Sequence, residues 1–145
     1  MVVKVKKLVP DAVLPQKAHK DDAGYDLVAV SRMVDDDGAV VYGTSLAFEI
    51  PEGYVGLVFP RSSVAKKDLI LSNCVGVIDA GYRGEVTAKF KLHDPLVKHD
   101  EYHWYDVGDR IAQIVFMRLP DVQFVESDEL GESERGTGGY GSSGK

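Results

Sequence analysis

An aspartate ends an apolar run in Val75-Gly76-Val77-Ile78-Asp79, and Ala80-Gly81-Tyr82-Arg83-Gly84 follows it. A carboxylate at the tip of a buried strand, held by a glycine turn, can serve as a positioned general base. The competing reading is an Asp that hydrogen-bonds its own turn. Arg61-Ser62-Ser63 follows Val55–Phe59 and Pro60, where a helical turn can begin. A cation, two hydroxyls and free N–H groups at such a start suit an anion, and N-capping by Ser62 or Ser63 is the structural alternative. Gln113 sits among Ile111, Val115 and Met117 and needs buried partners or a ligand. Asp22 and Asp26 flank Ala23-Gly24-Tyr25, an acid-rich turn that enters a strand.

Other patterns carry less. Gly136-Thr137-Gly138-Gly139-Tyr140-Gly141 fits a dinucleotide fingerprint, and Gly139 to Lys145 fits the first part of a P-loop. Both mechanisms need a strand before the glycines and a helix after them, and an acidic polar stretch precedes these. Two of His93, His99 and His103, with Asp100 or Glu101, could bind a metal. Their span lies between two strong strands and is rich in charge, so a long surface loop is the better reading. Asp35-Asp36-Asp37-Gly38 reads as a solvated hairpin turn.

The elements that must position these residues are strands. Val2–Val9 and Leu27–Val34 are short alternating segments, and Leu46, Phe48 and Ile50 share one face. Val55–Phe59, Leu69–Leu71 and Val75–Ile78 are nearly continuous apolar runs, as strands buried on both faces would be. Val86, Ala88, Phe90 and Leu92 alternate with Glu85, Thr87, Lys89 and Lys91, the period of a half-exposed strand. Ile111–Leu119 is long and apolar, and Val122–Val125 predicts a last short strand. Only Ser62–Lys67 could form a helical turn. Close strands with Gly and Pro punctuation indicate an all-β barrel or sandwich.

Composition narrows the class. The 145 residues fit one domain, and a 44% apolar fraction argues against wholesale disorder. No apolar run approaches the ~18 residues of a membrane span, and Met-Val-Val-Lys-Val-Lys-Lys lacks the apolar core of a secretory signal. The lone Cys74 makes no internal disulfide. A net charge of −6 opposes broad binding to nucleic acid. An anionic ligand must therefore be held by local cations and N–H groups. The expectation is a cytoplasmic protein with no membrane and no direct nucleic-acid contact. Six of the fifteen glycines fall in residues 131–145, a segment that cannot bury a core of its own.

Five segments, in order, resemble the motifs of the trimeric deoxyuridine triphosphatases. They are Asp22-Ala23-Gly24-Tyr25-Asp26-Leu27; Pro60-Arg61-Ser62-Ser63; Gly76 through Glu85; Gly108-Asp109-Arg110-Ile111-Ala112-Gln113; and Arg135 through Gly144. The resemblance implies an all-β, jelly-roll-like barrel over residues 1–127 and a flexible Gly-rich arm over 128–145 that closes the site. It implies a homotrimer that uses Mg²⁺ to hydrolyse dUTP to dUMP and pyrophosphate, which keeps uracil out of DNA and supplies dUMP for dTMP synthesis. By resemblance, Asp79 activates the water that attacks the α-phosphorus, and Tyr82 lies against the deoxyribose. Asn73, Val77, Ile78 and Thr87 would read uracil, while Arg61, Ser62, Ser63 and Gln113 would hold the phosphates. Asp26 would act on Mg²⁺ through water. Arg135 would meet the terminal phosphates, Tyr140 would stack on uracil, and Gly141 and Ser142 would add phosphate contacts.

The family commonly has Gly where Ser63 and Asp68 stand and Phe where Tyr140 stands, and the loop His93–Tyr105 is longer than usual. Arg-Ser-Ser is also frequent in the related dCTP deaminases. Those enzymes need a glutamate about ten residues after the position of Asp79, and this chain has Lys89 there. A non-catalytic nucleotide sensor or interaction module on the same fold is the other alternative.

Overall fold

The computed structural model describes residues 1–93 and 103–139. Nine strands form two antiparallel sheets: β1 (Lys4–Lys7), β2 (Tyr25–Val28), β3 (Ser31–Val34), β4 (Val40–Glu49), β5 (Tyr54–Pro60), β6 (Leu69–Leu71), β7 (Gly76–Ile78), β8 (Glu85–Leu92) and β9 (Arg110–Arg118). One sheet runs β1-β4-β8-β6 with β3 also paired to β4, and the other runs β2-β9-β5-β7. Among the described residues a single 3₁₀ turn, Ser62–Lys66, follows β5 as expected. The arrangement is jelly-roll-like, but the strand ladder does not close into a barrel among the described residues.

Alternation builds the core. On β8, Val86, Ala88 and Phe90 are buried while Thr87, Lys89 and Lys91 face out, so one face of the sheet is removed from water. On β4, four steps from Gly43 to Ala47 oppose two from Thr87 to Glu85. Two extra residues preserve the period, so Val40, Tyr42, Leu46 and Phe48 all point inward. Ser45 takes a positive φ of 51° in this bulge, and buried Thr44 satisfies its hydroxyl on the Val86 carbonyl at 2.6 Å. Tyr42, Phe90 and Tyr105 pack edge-on or tilted, with ring centroids 5.8–6.2 Å apart.

Three expectations change. Leu27–Val34 is two strands rather than one. The chain leaves one sheet after Val28, and Val30 N–H already bonds Gly43 O in the other. Strands that switch sheets make the corners of such sandwiches. Leu69–Leu71 and Gly76–Ile78 are buried on one face only, because Ile70 is 49% and Val77 62% exposed. Val122–Val125 is not a strand. It has strand-forming residues but pairs with no strand among the described residues, and Phe124 is 93% exposed.

Candidate active site

The first cluster grows from the register of three strands. Asp26 on β2 faces Gln113 on β9, and Gln113 faces Phe59 on β5. The Asp26 side chain, only 14% exposed, accepts Arg61 Nε on Oδ1 at 2.6 Å and Arg110 Nη1 on Oδ2 at 3.2 Å. Two cations on one half-enclosed carboxylate make a rigid, charge-assisted junction. Gln113 Nε2 donates to Pro60 O at 3.1 Å, which supplies the buried partner its position demanded. Its Oε1 lies where a Cβ on Gly24 would come within 2.4 Å, so this close approach requires glycine.

Arg61 is the N-cap of the 3₁₀ turn, and no side chain caps it. The capping alternative for Ser62 and Ser63 therefore fails. Ser63 Oγ instead lies 3.5 Å from Arg61 Nη1 and 2.9 Å from Tyr105 Oη.

The second cluster surrounds an open cleft. It measures about 250 Å³ and lies between β7, β8 and the turn after β6, lined by Asn73, Val77, Ile78 and Thr87 together with Ser72 and Lys89. The turn is tight: Cys74 has φ 60° and Val75 N–H bonds Asn73 O at 2.6 Å. Lys89 is held by Asp35, with its Nζ 2.5 Å from the carboxylate and 3.8 Å from that of Asp37. This pairing raises the ammonium above its ordinary value and is the main reason the Asp35 carboxyl sits below its own. Asp35 Oδ1 also accepts the N–H groups of Asp37 and Ala39, and Gly38 has φ 77°. The hairpin reading of that acidic run holds.

Asp79 follows β7 at the end of the cleft. Its carbonyl, not its carboxylate, closes the turn by accepting Tyr82 N–H at 3.1 Å. The exposed carboxylate has no hydrogen-bond partner among the described residues, so the self-capping reading fails. Tyr82 stands over Gly84, where a Cβ would meet its hydroxyl oxygen at 2.4 Å, and donates to Glu85 O at 3.0 Å. Arg83 fixes the turn through Ala80 O at 2.6 Å.

One chain does not bring the clusters together. Ile78 pairs with Gly56, so Asp79 lies level with Val55, whereas Arg61 follows Pro60 at the other end of β5. From Val55 to Arg61 the strand spans roughly 20 Å at about 3.3 Å per residue. Arg135 joins neither cluster and donates to Gly138 O at 2.9 Å within its own turn. Tyr140, Gly141 and Ser142 lie outside the described residues, as do His99, Asp100 and Glu101. Among the described residues no three His, Cys, Asp or Glu side chains converge as metal ligands. His103 instead bonds Asp68.

Sequence reading missed three side chains: Arg110 on Asp26, Arg83 under its turn, and Tyr105 on Ser63. The first two lie inside quoted motifs, but a lone arginine has too many possible partners for its role to be read. Tyr105 shows no sequence signal of its own.

A jelly-roll-like fold with an arginine–carboxylate cluster at one end of β5, and an open cleft that leads to Asp79 toward the other, places the chain among the all-β hydrolases to which its motifs pointed. The dUTPase family model matches residues 11–144, and the chain belongs to that family. It is 43% identical over 144 residues to the deoxyuridine 5'-triphosphate nucleotidohydrolase of Rhodococcus erythropolis, covering 98% of this chain and 85% of that one. The mitochondrial enzyme of that name from Dictyostelium discoideum is 40% identical, with 97% and 76% covered. The dUTPase of Staphylococcus bacteriophage 80alpha, solved with dUpNHpp, superposes with a TM-score of 0.82 at 32% identity, covering 99% of each chain. A dUTPase variant from S. aureus phage phi11, solved with a structural Mg(II) ion, gives 0.74 at 28% identity, with 89% and 98% covered. No helix among the described residues is long and apolar enough to cross a membrane.

Proposed function

We propose that this protein hydrolyses dUTP to dUMP and pyrophosphate, with Asp79 as the general base. The observation that carries the assignment is the unpartnered Asp79 carboxylate at the end of the cleft lined by Asn73, Val77, Ile78 and Thr87. A base bound there presents one edge to the strand and the Asn73 amide. Uracil and cytosine differ at that edge by a swapped donor and acceptor, so a rigid polar lining rejects the wrong pattern at substantial cost. Tyr82, propped on Glu85 O, forms the wall that leaves no room for a 2′-hydroxyl.

The phosphates run to Arg61, Ser62, Ser63 and Gln113. The donor set fits a Mg²⁺ ion held through water: Asp26 is a single carboxylate whose oxygens keep lone pairs beyond those used by Arg61 and Arg110, and among the described residues no protein cage competes with phosphate oxygens for the metal. When bound, the ion would neutralise charge developing on the phosphates. Asp79 takes the proton from the water that attacks the α-phosphorus. The arm from residue 128 onward carries Arg135 to the terminal phosphates and Tyr140 to the base, with Gly141 and Ser142 alongside, and excludes water when it closes.

The separation of Asp79 from Arg61 along β5 supports a site shared between copies in a closed homotrimer. The exposed apolar side chains of Val122, Phe124 and Leu130 support the same assembly. A lone exposed cysteine and an acidic surface suit a reducing cytoplasm. Deamination is disfavoured because Lys89, tied to Asp35, stands where a deaminase needs its glutamate.

Incubation with dUTP and with dCTP, each with Mg²⁺, tests the assignment. Pyrophosphate and dUMP from dUTP, without ammonia from dCTP, is the expected result. Ammonia from dCTP, or no pyrophosphate from dUTP, refutes it.

A further inference from the structure

Residues 103–105 return from the long loop and are strapped across the 3₁₀ turn that begins at Arg61. His103 N–H donates to Asp68 Oδ2 at 2.7 Å, and Lys67 Nζ donates to Trp104 O at 2.7 Å while lying 5.0 Å from the centre of the Tyr105 ring. Tyr105 is 3% exposed. Its backbone is gripped on both sides: its N–H donates to Tyr42 Oη at 3.1 Å, and its carbonyl accepts from Tyr42 Oη and Arg32 Nη1, each at 2.9 Å. The Tyr105 hydroxyl is thus a fixed point in the core, and Ser63 Oγ at 2.9 Å is its hydrogen-bond partner among the described residues.

We propose that Tyr105 is a positioning residue for the triphosphate: its hydroxyl donates to Ser63 Oγ, which accepts from Arg61 as well and turns its own proton toward the phosphates. This rests on the reading that Arg61 and Ser63 hold those phosphates. The polarity follows from donor arithmetic. Arg61 can only donate, and a serine hydroxyl has two lone pairs and one proton. A buried tyrosine proton with one acceptor in reach must go to that acceptor. Half-buried Ser63 then keeps its proton for an anion. The line Tyr105–Ser63–Arg61–Asp26–Arg110 thereby links the loop's return to the far side of the cluster.

A double-mutant cycle with Tyr105→Phe, which keeps the packed ring, and Ser63→Ala tests this. The readouts are KM and kcat for dUTP and the Kd of inorganic tripolyphosphate with Mg²⁺. Tyr105→Phe should raise both KM and Kd by about 3- to 10-fold, the scale of one hydrogen bond, with kcat within about twofold. Placed on Ser63→Ala it should add almost nothing, whereas on Ser63→Thr, which retains the hydroxyl, it should again weaken binding. Unchanged KM and Kd with only a lower thermal midpoint, or an equal effect with and without the Ser63 hydroxyl, overturns the proposal. Coupled tripolyphosphate binding in a protein that leaves dUTP intact would sustain the positioning role and refute the substrate assignment instead.

Discussion

The two ends of β5 are built on opposite principles. At the Pro60 end, Arg61 and Arg110 satisfy the Asp26 carboxylate through side chains, and Gln113 is held by the Pro60 carbonyl. Toward the Tyr54 end, beyond the cleft, the Asp79 carboxylate and Tyr82 are left open. A cluster proposed to grip charge is thus fixed in advance, so that little is lost in ordering it. The cluster proposed to take up a neutral base and activate water is left accessible. On the proposed reading, an acidic protein holds a triphosphate because two arginines meet at one junction and share a single carboxylate.

The largest break in this comparison is expected at the open end. Asp79→Asn should leave nucleotide binding nearly intact while hydrolysis falls by roughly 10²–10⁴. Near-normal turnover would remove Asp79 from the chemistry. Deleting residues 131–145 should lower kcat/KM by about tenfold or more, because losing even one charge-assisted contact is worth that much. Wild-type kinetics after truncation would reduce the arm to a frayed terminus. Tyr82→Ala should raise the UTP/dUTP activity ratio by roughly 3- to 10-fold, and an unchanged ratio would place sugar discrimination elsewhere.

The smallest effect concerns the packed end. The His103 N–H holds the Asp68 carboxyl below its ordinary value of 3.8. A carboxyl depressed by folding adds stability that is fully present above that ordinary value and lost as pH falls through the lower folded one. The thermal-midpoint gap between wild type and Asp68→Asn should therefore be present near neutrality and close below about pH 3.8. A gap that persists into strong acid would deny the carboxylate this role.

Much of this was legible from residues alone. The β8 alternation, the β5 and β9 runs and the turn at Ser62 all carry their period in the sequence, and the structure keeps them. The break at Ala29 was not legible, because a period of two says which side chains face inward but not which sheet receives them. Val122–Val125 misled for a related reason: strand propensity without a pairing partner does not make a strand. Within the site, Asp79 and Tyr82 were readable as a strand end and its turn, Asp26 and Arg61 as charged residues at strand ends, and Asn73 only through the family resemblance. Their division between two ends of one strand was not, since chain order carries no distance. Ser63 and Asp68, where the chain departs from the family pattern, both bond the returning loop, a connection visible only in three dimensions.

A mixture of two inactive variants tests the central claim most directly. Asp79→Asn and Arg61→Ala each disable one end of β5, and the two are co-expressed in equal amounts and assayed for dUTP hydrolysis. If each site draws Asp79 from one copy and Arg61 from the next, every mixed ring of three holds one junction with both native residues. The mixture should then recover about one quarter of wild-type activity. Activity no higher than the two variants assayed apart would mean that both residues serve one site within a single chain, and would contradict the account.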